Sequence, residues 1–289
     1  MVSRGGNGSA GSNVAPASRR RLPAQRRAAR PIGIFDSGIG GLTVVRALRK
    51  LLPHEDLIYL GDTGRYPYGT KSADVICRYS FENTEFLVDK GIKLLVVACN
   101  TSTAVALEAL QARYDVPVVG VIEPGVQAAV KATRNRKVGV IATEGTIRSG
   151  AYTRALRQAR PDLEIYTRAC PLFVPLAEEG WVDNEVAQLA ARSYLGSLAQ
   201  SGIDTLILGC THYPLLKTVI RDTIGRGVRL VDSGVVTAAA VTGALEARGL
   251  RRNGAAGVGS YFVTDAPERF MKVGARFLGA PVDAVQLER

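Results

Sequence analysis

The chain has little sulfur and less imidazole. Its 289 residues hold four cysteines and two histidines, and the cysteines (Cys77, Cys99, Cys170 and Cys210) stand at wide spacings without a C-x-x-C pair. That usage argues against a disulfide framework and for reduced thiols in a cytosolic enzyme. A zinc site built from Cys99, Cys210 and His212 would have three ligands at most, with His54 as the one remaining histidine. No apolar run approaches the ~20 residues of a membrane span. Acidic residues are missing from residues 1–30, which carry seven arginines (Arg4, Arg19, Arg20, Arg21, Arg26, Arg27 and Arg30). Seven of the net eleven positive charges therefore lie there, and the remaining four do not mark the folded body as nucleic-acid-binding. The stretch is rich in Gly, Ser, Ala and Pro, and is expected to be a disordered tail. Without a hydrophobic h-region it does not read as a secretory signal. Its Arg-rich, acid-free character suits an organelle transit peptide, although a solvated extension is the plainer expectation.

What is present centres on Leu94–Ser102, L-L-V-V-A-C-N-T-S. A short apolar run with β-branched residues predicts a strand buried on both faces, as in a parallel sheet. Small polar residues then lead into an alanine-rich helical pattern (Thr103 to Arg113), and such residues cap helices well. Cys99 is thus expected at the carboxyl end of a strand beside a helix N-terminus, where open α/β sheets bind ligands and where a thiol pKa can be depressed. A second version lies at Thr205–Pro214, T-L-I-L-G-C-T-H-Y-P, around Cys210. Cys77 falls in a helical pattern and Cys170 precedes a proline; both read as small structural hydrophobes.

Order is expected from Pro31. The strand Ile32–Phe35 runs into Asp36-Ser37-Gly38-Ile39-Gly40-Gly41 and a helix over Leu42–Leu52. This is not a dinucleotide fingerprint, because Thr43 stands where the third glycine belongs, and it lacks a P-loop lysine. The glycines read instead as room for the backbone to approach a small ligand, with Asp36 and Ser37 beside it. A second strand, Asp56–Leu60, ends in the loop Gly61–Thr70, G-D-T-G-R-Y-P-Y-G-T, placed to carry function. After Val116–Ile122, the breaker triplet Glu123-Pro124-Gly125 marks a domain crossing, and Asp232-Ser233-Gly234 marks the return. Lys137–Thr143 repeats Pro31–Ser37, with Thr143 in the place of Ser37, and helical patterns are read over Arg148–Gln158 and Val236–Ala247. Asp36 to Ala142 is 106 positions and Cys99 to Cys210 is 111, a nearly constant offset that implies a duplicated unit. The expected fold is α/β: two similar three-layer domains with mostly parallel sheets, related by a pseudo-twofold, with the active site in the cleft between them. The first domain would comprise residues 31–122 and 232–289, the second 123–231.

Two thiols facing one substrate suit the removal of an α-hydrogen from one side of an amino acid and its return from the other. Each can alternate between thiolate base and thiol acid, and positioned proton transfer is worth ~10²–10⁴-fold. The substrate carboxylate must then be neutralised, for which Ser37, Thr101, Thr143 and Thr211 are candidates. Asp36 could meet the substrate ammonium or orient Cys99, and His212 could serve Cys210. A thiol hydrolase using Cys210 with His212 would leave Cys99 idle. A two-lobed binding protein would have no need of thiols in its cleft.

In order along the chain, F-D-S-G-I-G-G-L-T, G-D-T-G-R-Y-P-Y-G, V-V-A-C-N-T-S-T and L-I-L-G-C-T-H-Y-P resemble the glutamate racemases of the cofactor-independent aspartate/glutamate racemase superfamily. The likeness runs from Pro31 to about Gly279. It implies a two-base interconversion of L- and D-glutamate without cofactor or metal, supplying D-glutamate for peptidoglycan synthesis, cell wall biogenesis and cell shape. The family's catalytic cysteines fall on Cys99 and Cys210. Its substrate contacts fall on Asp36, Ser37, Tyr68, Gly69, Asn100, Thr101, Thr211 and His212. Supporting acid–base residues fall on Asp36, Asp62, His212 and Glu178, with Glu179 as the alternative. Relatives acting on aspartate or a hydantoin share the cysteine pair, while the P-Y-G and C-T-H-Y-P forms resemble those acting on glutamate. The resemblance further implies a cytoplasmic homodimer; association with DNA gyrase, known for some members, has no counterpart in these residues.

Overall fold

The computed structural model describes residues 1–2 and 24–287. Eight of its strands are β1 (Ile32–Asp36), β2 (Leu57–Gly61), β3 (Leu94–Val97), β4 (Val118–Gly120), β5 (Lys137–Ala142), β6 (Glu164–Ala169), β7 (Thr205–Gly209) and β8 (Arg229–Asp232). They are followed by β9 (Gly259–Val263) and β10 (Val285–Gln286). They form two sheets, ordered β10-β9-β2-β1-β3-β4 and β6-β5-β7-β8, in which every pairing is parallel. The order β2-β1-β3-β4 recurs as β6-β5-β7-β8, so the repeat seen in the sequence is a repeat of topology. Between β1 and β3, and again between β5 and β7, the chain reverses its direction of winding. Such a switch point leaves a crevice outside the carboxyl ends of the strands.

The buried apolar runs fold as their composition predicts. β1, β3 and β7 are buried at every residue, which requires helices on both faces of the sheet. β6 lies at an edge, and its Glu164 and Arg168 are exposed, a charged margin that discourages pairing with another sheet. The helix Ser233–Glu246 packs on the helices Leu42–Leu51 and Ile122–Ala132, filling the junction between the two sheets. It starts three residues before the apolar pattern suggests, because Asp232 Oδ1 accepts the amides of Gly234 (2.9 Å) and Val235 (3.3 Å).

Several elements differ from expectation. Glu123-Pro124-Gly125 is not a break: it forms the first turn of the helix Ile122–Ala132. Proline is tolerated there because first-turn amides have no intrahelical acceptor. The helix expected over Arg148–Gln158 is two, Glu144–Ser149 and Ala151–Ala159, divided at Gly150 with φ +67. Order also reaches back into the expected tail. A helix spans Ala24–Ala28, and its last carbonyl accepts from Lys93 Nζ at 2.5 Å. Residues 3–23 of that predicted tail lie outside the described residues. Among the described residues, no helix is long and apolar enough to cross a membrane.

Candidate active site

Each sheet delivers its site residues at the carboxyl ends of the strands flanking its switch point. β1 ends in Asp36 and Ser37, and the turn after β3 carries Cys99. β5 leads to Thr143, and β7 to Cys210. Both thiols, with Asp36, Ser37, Thr143 and Thr211, line one cavity of about 310 Å³. Tyr68, Gly69, Asn100, Thr101 and His212 line it as well. Residues far apart in sequence thus meet around one chamber, with a buried sulfur supplied by each half.

Cys99 caps the helix Asn100–Arg113: its Sγ accepts the Ser102 amide at 3.5 Å and its thiol donates to Ser37 Oγ at 3.7 Å. The helix terminus does not depress its pKa. Burial, reinforced by the Asp36 charge, pushes the thiol up to about 11, outweighing its hydrogen bonds with Ser102 and Ser37. Asp36 is itself buried, with Oδ2 accepting the amides of Gly38 (3.2 Å) and Gly41 (3.1 Å). Desolvation raises its carboxyl above the ordinary range despite those amides and the opposing charge of His212.

The second thiol has a different neighbour. His212 Nδ1 lies 3.9 Å from Cys210 Sγ, and Nε2 lies 3.0 Å from Glu178 Oε1. Burial alone would lower the imidazole, but its bonds to Cys210 and Glu178 prevail and hold it at about 10. Glu178 is buried, yet His212, Tyr66 and Arg269 keep its carboxyl below the usual range. Its other oxygen meets Arg269 Nη2 at 3.1 Å. Glu179 is exposed and only within 3.8 Å of Arg269, so Glu178 is the glutamate that contacts the histidine.

Around the sulfurs stand hydroxyls and amides. Thr101, Thr143 and Thr146 Oγ1 atoms form a triangle with sides of 3.1 Å that joins the Cys99 turn to the end of β5. Asp62 does not line the cavity. It sits behind it, accepting from the Tyr68 hydroxyl, from Arg65 Nε at 2.7 Å and from Thr264 Oγ1 at 2.9 Å. Its influence on the cavity runs through Tyr68. The glycines after Asp36 also differ from expectation. A Cβ on Gly40 would lie 2.2 Å from Thr211 Oγ1 and 2.4 Å from His212 Nδ1. Gly40 therefore lets the opposite half of the molecule approach, and Thr43 Oγ1 secures that contact by donating to the Thr211 carbonyl at 3.0 Å. Sequence reasoning passed over Tyr66, Pro171, Val174 and Pro175, which line the cavity, and Tyr152 beneath it. The Tyr-Pro and Cys-Pro steps were the available signals for the first two; Tyr152 had none. Among the described residues, no three metal-ligating side chains come together.

Residues 42–241 match the family model described as Asp/Glu/hydantoin racemase. The chain is 60% identical over 257 residues to a glutamate racemase of Geobacter metallireducens, covering 88% of this chain and 94% of that protein. Among solved structures it is similar to the Thermus thermophilus glutamate racemase in complex with β-chloro-D-alanine. The TM-score is 0.83 and the identity 45%, covering 90% of this chain and 98% of that one. It is also similar to the Francisella tularensis glutamate racemase in complex with D-glutamate, with TM-score 0.85, identity 38%, and coverage of 90% and 98%. A duplicated α/β fold with a cysteine from each half in one chamber, and this degree of likeness over 88–90% of the chain, lead to one assignment: the chain belongs to the Asp/Glu/hydantoin racemase family, among its glutamate racemases.

Proposed function

We propose that this enzyme interconverts L- and D-glutamate by a two-base mechanism in which Cys99 and Cys210 act from opposite faces of the substrate α-carbon. The observation that carries this reading is the meeting of both buried thiols in one cavity, each with its own acid–base neighbour. With the Cys99 thiol held at about 11 it meets the substrate protonated, as the acid. Cys210 then removes the α-hydrogen, with His212 within reach of its sulfur. The electron pair of the broken C–H bond moves toward the α-carboxylate, and Cys99 delivers its proton to the opposite face. For the other enantiomer the roles exchange, and we assign Asp36, which lines the same cavity and whose charge bears on Cys99, to take up the proton that Cys99 must first lose. Hydroxyls of Ser37, Thr101, Thr143 and Thr211, with the Asn100 amide, support charge on the carboxylates without a mobile water shell. Product D-glutamate would serve peptidoglycan synthesis. With this reading go a cytoplasmic homodimer and no cofactor, as the resemblance implies, and domain boundaries at 122/123 and 231/232, a division supported by the separation of β1–β4, β9 and β10 from β5–β8 into two sheets.

The test is incubation of L-glutamate in deuterated water without added pyridoxal phosphate or metal. The expected result is α-deuterium in both isomers, and absence of label from both would remove the racemase reading. Cys99→Ser and Cys210→Ser should each lower turnover by at least ~10²-fold; normal racemisation by both would remove the two-thiol assignment.

A further inference from the structure

One buried side chain touches both thiol-bearing turns. Tyr152, on the helix that follows Gly150, is 2% exposed. Its hydroxyl donates at 2.7 Å to Oδ1 of Asn100, the residue after Cys99. Its ring lies under Gly209, the residue before Cys210: a Cβ there would come within 3.0 Å of Tyr152 Cε2. Burial and then the Cys210 charge push the phenol far above its ordinary range, so the hydroxyl remains a donor. This bond engages Asn100 Oδ1 and leaves Nδ2 on the other side of the amide. Asn100 lines the cavity, and its buried Nδ2 has no hydrogen-bond partner among the described residues. A buried N–H left unpaired is destabilising, so such a donor belongs to an acceptor that arrives from outside.

Building on the glutamate racemase reading, we propose that Tyr152 is a positioning residue: it sets the Asn100 amide so that Nδ2 donates to a substrate carboxylate, and it spans the Cys99 and Cys210 turns. Among the described residues, the phenolic O–H makes the one side-chain hydrogen bond that holds Oδ1 away from the cavity. Without it, a half-turn of the amide would present an acceptor to an anion, which weakens ground-state and transition-state binding alike.

The experiment is a double-mutant cycle on the full chain, with KM and kcat measured from both enantiomers. Tyr152→Phe keeps the ring under Gly209 and removes only the donor. It should raise KM about ten-fold for L- and D-glutamate with kcat within about two-fold, the loss expected for one hydrogen bond to a charged group. Asn100→Ala should raise KM comparably, and adding Tyr152→Phe to it should have little further effect, because the two act as a unit. Unchanged KM in Tyr152→Phe, or a KM rise that persists in full in the Asn100→Ala background, overturns the proposal. Should Tyr152→Phe fail to fold, an unchanged KM in Asn100→Ala alone overturns it. Solvent deuterium incorporation by the unaltered chain is read separately. Its absence removes the racemase reading itself, whereas incorporation with an unchanged Tyr152→Phe removes only the role of Tyr152.

Discussion

His212 carries a charge where charge is costly, and that is measurable. In the folded protein it holds its proton to about pH 10, whereas the ordinary histidine value is 6.5. Native protein therefore binds more protons than the unfolded chain across that interval, and stability falls as pH rises. The contribution is fully present below about 6.5 and lost on passing about 10. Cys99 acts in the same direction between 9.0 and about 11. The thermal midpoint should drop between about pH 7 and about pH 10, more steeply in the natural chain than in His212→Asn. Equal slopes in the two proteins would show that the imidazolium is not held by Cys210 and Glu178. His212 was legible in the sequence from its place two residues after Cys210, whereas Glu178 was implied only by the resemblance, with Glu179 as the alternative. Their protonation was not legible. Sequence placed Cys99 at a helix terminus, which favours thiolate, while burial beside Asp36 works the other way and prevails.

Among the elements, the turn after β1 shows how a motif can be recognised and its purpose missed. Gly38-Ile39-Gly40-Gly41 looks like a ligand cradle. Gly41 does donate its amide to Asp36, but Gly40 is small because His212 and Thr211 pack against it from the other half. Gly40→Ala should therefore keep the far-ultraviolet circular dichroism of the parent and lose about 10²-fold in kcat/KM, since a displacement of ~1 Å at the reacting groups is enough for that. Retained activity would mean that the turn yields freely. The same logic explains the split of the expected Arg148–Gln158 helix: Gly150 in the left-handed region ends one helix and begins the next, which sets Tyr152 beneath both cysteine turns. Periodicity detects a helix but gives no sign of a partner 52 positions away, the separation of Tyr152 and Asn100.

For the whole molecule, the sheet end remote from the cavity is held by a buried charge network. Lys93, just before β3, pairs with Glu55, just before β2, and donates to the carbonyls of Ala28 and Leu250. Glu55 Oε1 accepts the Arg252 amide at 2.8 Å. The N-terminal helix, the first sheet and the segment leading into β9 thus share one lysine. Lys93→Met would strand a buried carboxylate and should cost about 3–5 kcal/mol in denaturant unfolding, most of it regained in Lys93→Met/Glu55→Leu. Kinetic constants measured below the midpoint should not change, because the network lies at the opposite strand ends. A loss of turnover would show that strain there reaches the thiols.

By itself, the sequence determined the element types, the repeated unit and the residues able to do proton chemistry, because these depend on local periodicity and on residue identity. The buried runs of β1, β3 and β7 could be little else, and two cysteines after matching strands pointed to one shared cavity. Only the tertiary structure decided that the thiols share a chamber, that Asp62 stands behind Tyr68, that Gly40 serves the opposite half, and that Cys99 is raised while Glu178 is lowered. Those outcomes depend on desolvation and on contacts between groups tens to hundreds of positions apart. No local stretch of sequence contains that sum; folding performs it.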